Sequence, residues 1–379
     1  MGQLLDEIPR SEFEKLVKSN NSEYRAKGFK SWTQFVSMLF AQISGQKGLR
    51  SIEAGMNNQK SSWYHCSISP TDTKLLRSTL SYANKNRSAT LYEKVFELIL
   101  KKAQELPESH GFRFKNPLYS IDSSTIDLCY TLFPWADFRK RKSGIKLTVK
   151  LDHQGKIPSF VSLSTARKND SKLIQRVPVD SGDVIVFDRG YNNYDYFHQI
   201  NKKKAYFVTR MKSNAVYTAE KERTVKSDSH ILQDEEICLT SYPGENRLRR
   251  IVSVDSESGK GITLLTNNLE WSSRTIARIY KERWQIELFF KAIKQSLKIK
   301  RFYGNSQNAV LTQIWIALIV YLLYYLIKMK ARVVRFSFSM LMSILPTVLF
   351  QHRPLYDWIS GTSPPIIPDS FGQMELEFL

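Results

Sequence analysis

The sequence predicts a mixed α/β protein in which a helical N-terminal domain precedes a strand-rich core carrying a β-rich insertion. Three observations predict it. Apolar residues recur at helical spacing up to about position 115; from about 116, short apolar runs alternate with turn residues and a helical stretch; from about 211 to 270, brief strand-like runs are separated by charged linkers. At 379 residues the chain exceeds the ~250–300 beyond which single cores stop growing, so more than one domain is expected. With 42% hydrophobic and 12% aromatic residues, it can build a substantial core.

In chain order, KSWTQFVSMLFAQISG (Lys30 to Gly45) sets Trp32, Phe35, Val36, Met38, Leu39 and Ile43 at a helical period and closes on a glycine. TDTKLLRSTLSYANKNR predicts a short helix opening near Asp72 and carrying Lys74, Arg77, Lys85 and Arg87. It is either a DNA-reading helix or the solvated basic face of a bundle, and spacing leaves both open. Residues 1–115 are assigned as a helical DNA-binding domain. PLYSID then ends in Asp122; GIKLTVKLD and KIPSFVSLS, joined by DHQGK, predict a hairpin around a glycine-containing turn. VIVFD is a short buried strand ending in Asp188, followed by a helix over NNYDYFHQINKKK and the strand AYFVTRM, which completes the first part of the core, 116–210. ICLT, RLRRIVSVD and GITLLTNN are the strands of the insertion, 211–270. A helix opening at Ser272 or Ser273 and running to about Lys300 returns to the core, 271–330; the C-terminal segment 331–379, whose last stretch from His352 is Pro-rich and expected to be irregular, is a candidate for dimerisation.

Composition narrows the partners. The 56 Lys and Arg against 36 Asp and Glu give +20 and a pI near 9.7, which favours a polyanion such as nucleic acid, with an anionic membrane as the rival. Cys66, Cys129 and Cys238 are far apart and lack CxxC spacing, so neither a disulfide framework nor a zinc site is expected. MGQLLDEIPRSEFEKL carries acids and no apolar core, so no secretory signal is expected either. A cytoplasmic, nucleoid-associated protein follows. The uncharged run IWIALIVYLLYYLI from Ile314 is long enough to raise a membrane anchor over 309–327, but it is short for a span and holds three tyrosines, so a buried core helix is expected and no membrane partner. The absence of a GxxxxGK[ST] loop points away from ATP hydrolysis.

Two features point to chemistry. Asp122 and Asp188 each follow a short apolar run, so on neighbouring strands their carboxylates would meet at one edge of the sheet. Like charges resist joint ionisation, and a divalent cation between them resolves the conflict; hard oxygen donors suit Mg²⁺ or Mn²⁺, two of which can stabilise an in-line phosphoryl displacement. In YKERWQIELFFKAIKQ (Tyr280 to Gln295), Tyr280, Arg283, Glu287 and Lys294 fall within one narrow helical arc, at ~100° per residue. Glu287 is the natural third carboxylate, with Arg283 and Lys294 presenting cations to phosphates and Tyr280 a hydroxyl. Spacing alone leaves open a simpler account, in which Arg283–Glu287 and Glu287–Lys291 are helix-stabilising i, i+4 pairs and both aspartates cap turns.

At these residues the sequence resembles the DDE transposases of the bacterial insertion sequence four family. Tyr280-x-x-Arg283-x-x-x-Glu287-x-x-x-x-x-x-Lys294 matches the family's Tyr-Arg-Glu-Lys signature; YSIDSSTID around Asp122 looks like its first-Asp motif and FDRGY, Phe187 to Tyr191, like its second. The resemblance implies a ribonuclease H-like catalytic core with Asp122, Asp188 and Glu287 as catalytic metal ligands for Mg²⁺, with Mn²⁺ as substitute. It implies hydrolysis of the phosphodiester at each element end and attack of the freed 3′-OH on target DNA, without ATP or a covalent protein intermediate. Tyr280, Arg283 and Lys294 would hold terminal phosphates, with Lys291 and Arg189 beside them, and a homodimer would act on double-stranded DNA. Two positions depart from the pattern: Thr148 in Lys146-Leu147-Thr148 and Asn169 before Asp170 stand where relatives often carry histidine. A catalytically inactive DNA-binding descendant is therefore the alternative, against which the intact carboxylates argue.

Overall fold

Six helices open the chain in the computed structural model, which describes residues 1–24, 26, 28–69, 74–106, 110–139, 142–167, 170–225, 230–240, 242–243, 247–254, 259, 261–296, 302–331, 338–350 and 355–360. They are α1 (Gly2–Leu5), α2 (Arg10–Ser19), α3 (Ser31–Ile43), α4 (Leu49–Asn58), α5 (Arg77–Asn86) and α6 (Thr90–Gln104). Every residue of α3 is buried, so it is surrounded rather than one-sided. It closes as its glycine foretold: Gly45 takes φ 62°, and the Gln46 N–H reaches back to the Ala41 carbonyl at 2.9 Å, the long bond of a Schellman cap. Helix α5 begins at Arg77 rather than near Asp72, a position outside the described residues. Its late start has a cause, because the Asn57 amide both accepts from the Leu75 N–H and donates to the Leu75 carbonyl, each at 2.9 Å, and so ties down that backbone ahead of the helix.

One mixed sheet follows. Its strands are β1 (Leu118–Leu128), β2 (Asp137–Arg139), β3 (Lys142–Asp152), β4 (Ile157–Thr165), β5 (Val184–Phe187), β6 (Tyr206–Arg210), β7 (Tyr217–Glu222), β8 (Ile231–Leu239), β9 (Leu248–Val254) and β10 (Gly261–Thr266). The order is β2-β3-β1-β5-β6-β10-β9-β8-β7, with β4 also on β3. Strands β1, β3 and β4 are antiparallel, whereas β1–β5 and β5–β6 are parallel. Strands β7 to β10, from the segment expected to be an insertion, continue this sheet, since β10 pairs antiparallel with β6. The hairpin between β3 and β4 forms as expected, but the left-handed residue in its turn is Lys156 (φ 54°) and not the glycine. Gly155 serves a different need: a Cβ there would lie 2.7 Å from the Tyr325 hydroxyl.

Between β4 and β6 lie the short α7 (Asp170–Leu173) and α8 (Tyr194–Lys202); after the sheet come α9 (Ser273–Glu282), α10 (Trp284–Lys291), α11 (Gln307–Lys330), α12 (Phe338–Val348) and α13 (Leu355–Ser360). The two faces of β5 explain the layers. Ile185 and Phe187 pack with Phe197 and Ile200 of α8, whereas Val184 and Val186 pack with Ile276 and Ile279 of α9. Helix α11 meets the length and apolarity of a membrane span, with mean hydropathy 2.1 over its best window, yet 83% of that window is buried inside this fold. It packs on α3, α5 and α6 and shares a core with Leu147, Val149 and Leu151 of β3. Each fully buried Leu or Ile there contributes about 1.5–3 kcal/mol, which makes α11 a principal core element.

The helix expected to run unbroken from Ser272 to Lys300 is divided. Its start is as read, with the Ser272 hydroxyl accepting from the Thr275 N–H at 3.1 Å. At Arg283 the bonding tightens to i→i−3, from Arg283 N–H to Tyr280 O and from Ile286 N–H to Arg283 O, and after Lys291 the chain widens into a π-turn, Ala292–Ser296. Residues 297–300 lie outside the described residues.

Candidate active site

Strand register brings the two aspartates together. In the parallel β1–β5 pair, Leu118 is opposite Val184 and Ile121 opposite Phe187, so the next residues in step are Asp122 and Asp188. Side chains alternate along a strand, and Asp122 and Asp188 share the parity of Leu118, Val184 and Val186. Those residues face α9, and so do the acids. β1 continues past the end of β5, which leaves Asp122 within a strand and Asp188 at the carboxyl end of one, where open α/β sheets bind their ligands.

Helices α9 and α10 close over this edge. The Tyr280 hydroxyl donates to Asp188 Oδ1 at 3.3 Å, and the Tyr191 hydroxyl donates to Asp122 Oδ1 at 3.1 Å. The Ser123 N–H also donates to Asp122 Oδ1, at 2.8 Å. From α10, Glu287 Oε1 receives Arg283 Nη2 at 2.8 Å, and the Arg283 guanidinium lies 5.9 Å from the centre of the Tyr280 ring. Five expected residues thus converge: Asp122, Asp188, Tyr280, Arg283 and Glu287.

Burial pushes the Asp122 carboxyl above its ordinary range; the Ser123 N–H, the Tyr191 hydroxyl and the Arg283 charge oppose this, while the negative charge of Glu287 adds to it. Burial likewise pushes the Tyr280 phenol up to about 12, so it remains a hydroxyl donor at neutral pH. No three of the described carboxylate, imidazole or thiol side chains are gathered closely enough to hold a metal ion. The Arg283 guanidinium is the cation that partners Glu287 here, an i, i+4 pair on the helix surface. The donor chemistry nevertheless fits a hard divalent ion, since carboxylate oxygens are the ligands such ions take.

Lys291 is exposed at the end of α10, and Glu287 is paired with Arg283 rather than with it. Lys294 is half-buried in the π-helical turn that follows α10. Arg189 is exposed in the tight turn directly after Asp188. Thr148 is buried in register with Ser123, and their hydroxyls are 2.8 Å apart, one residue from Asp122; Asn169 lies outside the described residues. Sequence reasoning missed Tyr191. In sequence, FDRGY points to Asp188 alone, and a tyrosine three residues after an acid carries no signal that it serves a different acid on the neighbouring strand.

A family described as a transposase DDE domain matches residues 113–323, and one described as a domain of unknown function (DUF4372) matches residues 1–68. A transposase sequence from Sinorhizobium fredii is 32% identical over 73% of this chain and 78% of its own length. A transposase for insertion sequence element IS5377 of Geobacillus stearothermophilus is 28% identical over 75% of each chain. One for insertion sequence element IS4SA of Synechocystis is 26% identical over 65% of this chain and 70% of its own.

Proposed function

Because this chain belongs to the DDE-domain transposases, enzymes that cut DNA strands and transfer them, we propose that it performs Mg²⁺-dependent cut-and-paste transposition through Asp122, Asp188 and Glu287. The observation that carries the reading is the β1–β5 register, which aligns two half-buried aspartates beside a helix bearing a third carboxylate. The order β4-β3-β1-β5-β6, with an antiparallel trio followed by parallel neighbours, supports a ribonuclease H-like core. The Tyr280, Arg283, Glu287 and Lys294 spacing supports membership of the insertion sequence four family.

The three carboxylates would hold Mg²⁺, or Mn²⁺ in its place, which supplies an activated water and stabilises the attacking and leaving oxygens of phosphodiester cleavage and strand transfer. Glu287 would be the third ligand from α10, and Arg283 beside it would present its planar fork to a DNA phosphate. Tyr191 and Tyr280 keep the two aspartates oriented by donating to one oxygen of each. Lys294, Lys291 and Arg189 contact phosphates at the rim, and the enzyme works as a cytoplasmic homodimer on double-stranded element ends, with no membrane partner.

The test is cleavage of DNA carrying the element's own ends. Wild type should cut only with divalent metal, and Asp188→Ala and Glu287→Gln should each lose at least about a thousandfold in rate, the several kcal/mol that bound metal contributes. Cleavage at normal rate by either variant sinks the assignment; DNA binding without cleavage by the wild type would favour the inactive descendant.

A further inference from the structure

The helix that sequence singled out for its cations forms one wall of a cleft that the catalytic chemistry does not use. Thr79, Tyr82, Ala83 and Asn86 line it from α5, at the i, i+3, i+4, i+7 spacing of a single helical face. The opposite wall is the segment after α2, with Ser22, Tyr24 and Phe29. The cleft holds about 530 Å³, within the ~300–1,000 Å³ of sites for small planar ligands and too little for a duplex. It is held open by Arg87, which donates to the Phe29 carbonyl and to Gln34 Oε1 at 3.1 Å and lies 5.4 Å from the Phe29 ring centre.

Its chemistry is specific. Tyr24 and Tyr82 are 75% and 72% exposed, on opposite walls, which leaves both rings open to a ligand. The Ser22 hydroxyl, in a residue only 6% exposed, has no hydrogen-bond partner among the described residues. Asn86 adds a side-chain amide. Exposed Arg77 and Lys85 stand on the same helix, while the one acid of the facing segment, Glu23, is turned away onto the Ser31 N–H at 2.6 Å and Lys30 at 3.5 Å. Aromatic rings on two sides, hydrogen-bonding groups between them and cations outside are what an unpaired nucleobase needs: π-faces to stack on, polar groups for its edge and charges for its phosphates.

We infer that this cleft binds an unpaired base of the DNA substrate, giving the enzyme a single-strand contact apart from the catalytic carboxylates. The inference stands on the cleft and on the chain being a DNA-acting transposase, and not on the assignment of Asp122, Asp188 and Glu287. The test uses the full chain and a labelled single-stranded oligonucleotide, with a duplex of the same sequence as reference, followed by fluorescence anisotropy. Tyr82→Ala should weaken single-strand binding about tenfold, as loss of one stacking platform does, while Tyr82→Phe should keep it. Duplex affinity should stay unchanged in both. A strand substituted with 5-iodouracil should photocross-link to Tyr24 or Tyr82. Unchanged single-strand affinity in both Tyr82→Ala and Tyr24→Ala overturns the inference. So does an equal loss for strand and duplex, which would make the cleft part of a general backbone-binding surface, and so does cross-linking confined to residues around Asp188.

Discussion

Replacing Tyr191 by Phe probes the site at a position where the fold should not respond. Tyr191 is buried, and Phe keeps its ring while deleting the hydroxyl that donates to Asp122 Oδ1 at 3.1 Å. A hydrogen bond to a charged acceptor contributes about 1.5–3 kcal/mol. This one is longer than the Ser123 N–H bond of 2.8 Å that Asp122 Oδ1 retains, so the lower end applies. A loss of about 1.5 kcal/mol is roughly tenfold in affinity, the lower bound of the ~10–100-fold range for partners that orient metal ligands. The expected result is Mn²⁺ affinity weakened about tenfold, measured by electron paramagnetic resonance titration. The Mg²⁺ concentration for half-maximal cleavage should rise in step, while the rate at saturating metal stays close to wild type. Asp122→Asn is the control. If it abolishes metal binding while Tyr191→Phe leaves it unchanged, the orienting role is refuted; if neither alters binding, the carboxylate site itself is wrong.

Three further outcomes follow from the structure. His153 is buried against Ser120, its Nε2 2.7 Å from the Ser120 Oγ, and burial, reinforced by His110 and Lys156, pushes its pKa from 6.5 down to about 4. The unfolded chain therefore binds this proton more readily. The stabilisation is complete above about 6.5 and is lost as pH falls through about 4. It amounts to at most about 3 kcal/mol. Urea midpoints across that window should fall less steeply for His153→Gln, and parallel slopes would discount the assignment. Lys150 and Asp183 form an ion pair at 2.7 Å with both side chains buried, and Lys150 also lies 3.9 Å from the Tyr119 ring centre. Lys150→Met strands the buried carboxylate and should destabilise by about 3–5 kcal/mol in chemical denaturation, whereas a change under about 1 kcal/mol would mean that water reaches it. Finally, with +20 on the chain, affinity for duplex DNA should drop steeply between low and moderate salt as counterions are released, and a flat response in a filter-binding or anisotropy titration would contradict a backbone-driven interaction.

The features legible in the sequence are those whose cause is local. The period and closing glycine of α3, the β3–β4 hairpin, the buried β5 and the Ser272 cap all depend on residues within a turn or a pleat of one another. The grouping of Tyr280, Arg283 and Glu287 was legible for the same reason, since neighbours three and four apart on a helix stay neighbours even when one turn tightens. Lys294 lies farther along, within the π-helical turn Ala292–Ser296, a change of winding that no spacing in the sequence announces.

The sequence by itself determined that Asp122 and Asp188 each follow a short apolar strand run and that Glu287 lies on a helix, although β1 runs on through Asp122 to Leu128 rather than ending there. It could not determine that β1 lies parallel to β5 in the register that sets Asp122 beside Asp188, that strands β7 to β10 extend the sheet beyond β6, or that Tyr191 serves Asp122. Those were decided by tertiary structure. Strand order and register are selected by which apolar faces cover one another across long chain closures, with Val184 and Val186 against α9 and Ile185 and Phe187 against α8, and that competition leaves no periodic mark in any short stretch of residues.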